Sequence, residues 1–149
     1  MNIYKSFEKF IKGAPTINIT DKNENDDVFR ISFSYMEKNY VLFYDPKDPE
    51  YYRLMLPVIG TVNQSEPDYN KVLAELISLT TMYKVGKAIL LNENEVWLSY
   101  EQIILDIDGE YGSLFSRSIN VLSKMLDDYR NFITTTNEPT NSKQNEHNQ

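Results

Sequence analysis

The stretch Lys87–Leu105 reads KAILLNENEVWLSYEQIIL and holds two apolar runs on either side of the polar sequence NENE, residues 92–95. Apolar runs of this length around a short polar segment predict two antiparallel strands joined by a turn. One face of this hairpin is expected to pack on helices. The fold therefore depends on what the rest of the chain supplies to cover it.

The second strand of the hairpin carries apolar side chains on both faces. One face holds Val96, Leu98 and Tyr100. The other face holds Trp97, Ser99 and Glu101. Beyond Gln102 the apolar residues are Ile103, Leu105 and Ile107, which fall on the Trp97 face of the strand. The Trp97 face is therefore an exposed patch, a dimer seam or the result of a β-bulge. We take Trp97, Ser99 and Glu101 as candidate protein-contact residues.

Three further strands precede this hairpin. Val28–Tyr35 alternates apolar and polar residues, which is typical of a half-buried strand. Tyr40–Tyr44 and Tyr51–Ile59 follow after short turns, so the three strands form an antiparallel meander. Pro57 cannot donate to a ladder and predicts the end of the third strand or a sheet edge. The polar segment Asn18–Asp27 is predicted to be a loop.

Three amphipathic helices complete the chain. The first spans Ile3–Ile11 and ends before Gly13. The second lies within Asn63–Tyr83, with Ser65 as its possible N-cap. Its core-facing stripe is predicted to be Val72, Leu73, Leu76, Ile77, Thr80 and Tyr83. The third spans Tyr111–Ile133, and its main stripe is Phe115, Ile119, Leu122, Leu126, Tyr129 and Ile133.

The third helix carries a second set of apolar residues, at Leu114, Val121, Met125 and Phe132. These residues cannot all share one direction with the main stripe at about 100° per residue. A two-fold interface would bury them, which predicts a homodimer. The alternative is a helix lying in a deep groove between the sheet and the first helix, with both stripes covered within one chain.

The resulting order is α-β-β-β-α-β-β-α. Strands joined by short turns predict a two-layer α+β fold, with a five-strand antiparallel sheet and helices packed on one face. The second and third helices are expected to contact Phe29, Ile31 and Phe33 of the first strand. Residues 1–133 are predicted to form a single domain, and the polar segment 134–149 to be a disordered tail.

Composition narrows the possible functions of the 149 residues. The net charge of −7 disfavours binding to nucleic acid or to an anionic membrane surface. There is no cysteine, and the single histidine is His147, so neither a Cys-His nor a Ser-His nucleophile system is expected. No metal, cofactor or catalytic site is predicted. The start of the chain lacks the apolar core of a signal peptide, and we expect a cytoplasmic protein.

Carboxylates are the remaining side chains that could bind a metal ion or support catalysis. Asp21, Asn23 and Asn25 begin like a calcium loop, but Asp26 stands where the loop requires glycine. Between Ala88 and Ser116 there are six acidic residues and no Lys or Arg, which keeps the domain soluble or favours basic partners. A small ligand-binding domain or a carboxylate-dependent enzyme is therefore one alternative function, and a structural subunit of an assembly is another.

Three segments resemble a known group of bacterial proteins. They are YVLFYDPKDPEYYRLMLPVI, NKVLAELISLTTMYKVGKAILLNENEVWLSYEQI and LFSRSINVLSKML. Together with the element order, they resemble the YbjN-like sensory transduction regulators and the type III secretion chaperones that share their fold. The resemblance implies no catalysis, no cofactor and frequent homodimers. It implies a chaperone-like or regulatory module that binds an extended or amphipathic protein segment.

Overall fold

The computed structural model describes residues 2–25, 27–105 and 109–137, which form three helices and six strands. The elements are α1 (Ile3–Lys12), β1 (Asn18–Glu24), β2 (Phe29–Tyr35), β3 (Lys38–Tyr44), β4 (Tyr51–Thr61), α2 (Tyr69–Met82), β5 (Gly86–Leu91), β6 (Glu95–Ile103) and α3 (Gly112–Thr136). All strand pairs are antiparallel, in the order β1-β2-β3-β4-β6-β5. The coarse prediction of an α+β fold is confirmed.

The sheet has six strands rather than the five predicted, because Asn18–Glu24 pairs with β2 instead of forming a loop. Its side chains are exposed except Ile19, which is half-buried, so the segment lacks the alternation that marks a strand. A register shift between Ile19 and Asp21 bends this edge. Because Asp21 and Asn23 lie in a paired strand, they cannot curl round an ion as a calcium loop does.

The helices pack on one face of the sheet and share a single core with it. At the β2 end, Tyr4 of α1 meets Phe29 with ring centroids 5.2 Å apart, and Phe7 meets Phe33 at 5.4 Å. Phe115 of α3 lies edge-on to Phe7 at 4.8 Å. The expectation that the second helix would cover β2 is wrong. α2 packs instead against β5, at the opposite edge of the sheet.

β4 contains a β-bulge at its centre. Its register with β3 ends at Met55, and its register with β6 passes from Leu56 to Gly60. The predicted role of Pro57 is therefore wrong, since it marks neither the strand's end nor a sheet edge. Its missing N–H falls where the ladder is interrupted, which is a position that accepts proline. Val58 has φ of 46°, a left-handed conformation that is strained for a β-branched residue.

α2 begins after Asp68, and neither Asp68 nor the predicted Ser65 makes a side-chain cap bond to it. Its buried residues are Val72, Leu76 and Leu79. The predicted stripe is therefore rotated, because Leu79 is in the core whereas Ile77 is 69% exposed. The physical reason is that α2 lies at the sheet edge, so its Ile77 side extends past β5 and has no strand beneath it.

α3 buries most of its apolar surface within the chain. Met125 is fully buried, and its sulphur lies against the backbone of Gly86 in β5. Leu114, Val121 and Phe132 are half-buried against the same core. Part of each of these three side chains stays exposed, and the homodimer predicted from this helix stays a prediction. The helix ends at Thr136, and residues 138–149, most of the predicted tail, lie outside the described residues.

Candidate protein-binding surface

The sheet face opposite the helices, which we call the open face, carries no helix among the described residues. One row across it, in strand register, is Arg30, Phe43, Arg53 and Glu101. The next row is Ser32, Val41, Met55, Ser99 and Lys87. Met55 is only 5% exposed although it lies outside the helix-side core. Neighbouring side chains on the open face therefore form a packed surface of their own.

Glu101 is the electrostatic centre of the open face. Its carboxylate lies 3.2 Å from Arg53 Nε, accepts a bond from Ser99 Oγ at 2.9 Å, and pairs with Lys87 Nζ. Its side chain is only 12% exposed. This burial disfavours the charged form, but the bonds from Lys87, Tyr51 and Ser99 and the charge of Arg53 outweigh it and lower the pKa of Glu101 to about 2. Glu101 is therefore charged at neutral pH, where it holds Arg53 and Lys87 in place.

Trp97 lies beside this cluster, half-buried and opposite Ile89 of β5. Its indole N–H donates to Glu95 Oε2 at 3.1 Å, which fixes the orientation of the ring. Ile103, on the same side of β6, is 65% exposed. Both faces of the hairpin therefore carry apolar residues, as the sequence indicated, and the bulge lies in β4 rather than in β6. Ile107 is outside the described residues.

The open face has a hollow at its corner beside the β3–β4 turn, with a cavity volume of about 380 Å³. Phe43, Tyr51 and Arg53 line it together with acids of the turn. The Arg53 guanidinium lies over the Tyr51 ring, 5.3 Å from its centroid. A partner side chain inserted there would meet an aromatic wall and a cation.

The seven predicted contact residues do not come together. Trp97, Ser99 and Glu101 share the open face, although Ser99 itself is fully buried. Leu114, Val121, Met125 and Phe132 lie on α3, on the other side of the sheet. Arg53, Phe43 and Lys87 were not among the predicted contact residues. For Arg53 the reason is that its partner Glu101 lies in β6, and the pairing of β4 with β6 joins strands that are not consecutive. Opposite charges at Arg53 and Glu101 on otherwise apolar strands were the signal available.

The other acidic side chains of the described segments either form ion pairs or lie apart from one another. Glu8 accepts bonds from Lys12 and Lys22, both at 2.7 Å, and these bonds lower its pKa to about 2. In the acidic segment Ala88–Ser116, the charge of Glu101 is balanced by Arg53 and Lys87. Asp106 and Asp108 of this segment fall outside the described residues. Within residues 2–25, 27–105 and 109–137, no group of three or more His, Cys, Asp or Glu side chains could hold a metal ion. No helix in these ranges has the length and apolar character needed to cross a membrane.

No protein-family model and no curated protein sequence matches the chain. Among solved structures, an uncharacterised protein from Methanothermobacter thermautotrophicus is 9% identical, with a TM-score of 0.60 over 89% of this chain and 96% of that one. The two proteins share a fold. YbjN from E. coli, a candidate transcription regulator, is 8% identical, with a TM-score of 0.47 over 86% of this chain and 91% of that one. The YbjN-like part of the resemblance stated from the sequence is confirmed as a matter of fold alone, and the part that concerns type III secretion chaperones stays a prediction.

Proposed function

We propose that this protein is a non-catalytic protein-binding module, regulatory or chaperone-like, that holds an amphipathic segment of a partner on the open face. The observation that supports it is the composition of that face. Trp97, Phe43, Tyr51, Met55 and Arg53 are the residue types enriched in protein interfaces, and here they share one helix-free side of the sheet.

The layering of the fold supports an amphipathic helix as the bound segment. A sheet is stable when its apolar faces are covered, and helices on both faces are a common arrangement. The three helices cover one face only, so the apolar stripe of a partner helix would complete the second layer. Trp97 with Ile89 offers an apolar ridge for that stripe.

The charges of the open face would orient the segment. Arg53 and Lys87 both pair with Glu101, so these three residues together carry one more positive than negative charge. The side chains of Arg53 and Lys87 are about half-exposed. A carboxylate on the partner segment can be shared between these cations without leaving Glu101 unpaired. Charge complementarity of this kind gives specificity and a faster association more than it gives affinity.

The test is a selection of a displayed peptide library on the immobilised protein, followed by titration of each recovered peptide. Substituting Trp97→Ala is expected to weaken binding about 30-fold or more, as loss of an aromatic hot spot does. Phe43→Ala, two strands away from Trp97, should weaken the same peptides as well. Recovered peptides should carry apolar residues at helical spacing.

The matched control is Met36→Ala, on the β2–β3 turn, where the side chain is 71% exposed and lies off the open face. It should leave the peptide affinity unchanged. Melting curves of all variants separate lost binding from lost folding. The proposal fails if no peptide is recovered, or if recovered peptides bind Trp97→Ala and Phe43→Ala as tightly as the parent chain.

A further inference from the structure

A hollow lies between the C-terminal part of α3 and the end of β4, with a cavity volume of about 370 Å³. It is on the helix side of the sheet, since Gly60 in its wall pairs with Val96, whose side chain is buried in the core. The hollow is therefore separate from the open face. Its volume is near the lower end of the range of small-molecule sites, about 300–1,000 Å³.

The hydroxyl of Tyr129 reaches this hollow without a partner. Tyr129 is only 4% exposed, yet its hydroxyl makes no hydrogen bond to any described residue, although a buried phenol usually has one. It is not among the unpartnered polar atoms that the described chain encloses completely, so it keeps contact with the hollow that its side chain lines. Burial raises the pKa of Tyr129 above its ordinary value of 10, and the hydroxyl therefore stays a donor at neutral pH.

Gly60 leaves the space that this hydroxyl occupies. A Cβ at this position would lie 2.9 Å from the Tyr129 hydroxyl oxygen and 3.3 Å from its Cε1. Any larger residue would therefore displace the ring or cover the hydroxyl. The register shift between Leu56 and Gly60 ends at the same point, and β-bulges are over-represented beside functional sites.

Arg130 supplies a positive charge to the same hollow. Its guanidinium forms no ion pair or hydrogen bond with any described residue, and its printed contact is made by the backbone carbonyl, which accepts from Thr134 Oγ1 at 2.9 Å. None of the described residues that line the hollow is acidic. A phenol and a guanidinium are both donors, so together they select a ligand group that accepts hydrogen bonds and carries negative charge.

The remaining wall of the hollow determines the rest of the ligand. Ile59 and Ile133 line it, and both are partly buried against the core. They favour an apolar body beside the anionic group. One cation and one neutral donor match a single negative charge better than the double charge of a phosphate monoester. The planar fork of arginine also matches the two oxygens of a carboxylate.

We propose that this hollow binds a small monocarboxylate with an apolar body. Its carboxylate accepts from the Tyr129 hydroxyl and the Arg130 guanidinium, and its body lies against Ile59 and Ile133. The ligand supplies the partner that the phenol lacks within the described chain. Because it contacts both β4 and α3, its binding also stabilises the folded protein.

The experiment is an NMR titration of the ¹⁵N-labelled full chain at pH 7 with 4-methylpentanoate and with phenylacetate. At millimolar concentrations, at least one of them should shift the amide signals of Gly60 and Arg130. The corresponding neutral amides and inorganic phosphate are the control ligands. They should bind at least about 10-fold more weakly, because they lack the charge or the apolar body.

Two variants test the assigned donors. Tyr129→Phe should weaken carboxylate binding about 10-fold, as loss of a hydrogen bond to a charged group does. Its melting temperature without ligand should be equal to or above that of the parent chain, because the hydroxyl has no described partner to lose; a purely structural hydroxyl would lower it. Arg130→Gln should weaken binding about 10-fold or more. Arg117→Gln, the same change about 20 Å away along α3, is the matched control and should bind like the parent.

The proposal is overturned if neither carboxylate shifts the signals of Gly60 and Arg130, or if Tyr129→Phe binds as tightly as the parent chain. Equal affinity for the neutral amides or for inorganic phosphate also overturns it, since the hollow then does not recognise a carboxylate. Weakening by Arg117→Gln equal to that by Arg130→Gln would assign the effect to net charge and would overturn the role of Arg130.

Discussion

The two edges of the sheet differ in almost every physical respect. β1 has seven residues, five of them charged or amide-bearing, and a register shift that bends it. β5 has six residues, of which only Lys87 is charged. Charges and bulges prevent edge-to-edge pairing, while a flat apolar edge invites it. One edge of this protein is thus closed to a further strand, and the other is suited to receive one.

The edges are also held to the helix layer by different forces. At β1, Lys22 bonds Glu8 of α1, which also pairs with Lys12. At β5, Gly86 lets Met125 of α3 approach the backbone closely. The first attachment depends on charge and the second on packing. Substitutions that separate these two contributions test the comparison directly.

The largest effect is expected from Gly86→Ala. The added methyl would overlap Sδ of the buried Met125 and lie 3.2 Å from Cβ of the half-buried Tyr83. Overpacking of this kind should lower the free energy of unfolding by about 2–3 kcal/mol. Urea unfolding at low and high salt should give the same loss, because packing is not screened. Gly112→Ala, where no atom lies within 4 Å, is the control. A neutral Gly86→Ala would mean that Met125 can move and that packing does not fix this edge.

A smaller, salt-sensitive effect is expected from Glu8→Gln. It removes the charge that Lys12 and Lys22 share and should cost about 1–2 kcal/mol at pH 7. Because the folded pKa of Glu8 is lowered from 4.5 to about 2, its stabilisation is present above pH 4.5 and is lost as the pH falls toward 2. Between pH 7 and pH 3, the free energy of unfolding should therefore fall less in Glu8→Gln than in the parent chain. Glu37→Gln, on the exposed β2–β3 turn, should behave like the parent. If the free energy of unfolding falls equally in Glu8→Gln and in the parent chain, groups other than Glu8 cause the loss of stability in acid.

The helices over the two edges should respond differently at their first turns. Asn2 caps α1 by accepting from Lys5 N–H at 2.9 Å, so Asn2→Ala should cost about 1 kcal/mol. Ser65→Ala, before α2, should change stability by less than about 0.5 kcal/mol, since no side-chain cap bond is formed there. Thermal unfolding of the two variants decides the point. If Ser65→Ala loses more stability than this, Ser65 caps α2 as the sequence predicted.

The smallest change in stability is expected from Asn23→Ile, on the exposed edge of β1. The side chain lies opposite Arg30 and is exposed, so the change should be under about 0.5 kcal/mol. Because it makes β1 more like β5, light scattering should detect new self-association. Asn23→Lys is the matched control and should add none. If the two variants associate equally, edge composition is not what keeps β1 unpaired.

Five of the six strands could be predicted, β2 from its alternation of apolar and polar residues and the others from short apolar segments bounded by turns. β1 could not, since Ile19 is its one apolar side chain, and pairing with β2 and polar contacts with α1 hold it in place. The stripe of α2 was placed on the wrong side for a related reason. Apolar residues surround that helix from Leu73 to Leu79, and only the position of the sheet beneath it selects Leu79 over Ile77.

The candidate surface was predicted in part. Period-two alternation placed Trp97, Ser99 and Glu101 on one face correctly, because it is a local property of one strand. The row joining Arg53 to Glu101 depends on a register between strands separated by α2 and β5, and no local pattern specifies that register. The burial of Met125 likewise depends on the distant Gly86, which a helical stripe alone does not reveal.

The insertion of β6 between β4 and β5 has a consequence for synthesis on the ribosome. Leu54 and Tyr100 pair in the finished sheet but are 46 residues apart in the chain. At roughly 5–20 residues per second, the β4 edge waits about 2–9 s for its permanent neighbour after it has been made. During that interval Tyr52, Leu54 and Leu56, all buried later, lack the strand that completes their core. We expect the nascent chain to be most open to chaperones, and to wrong pairing, in this interval.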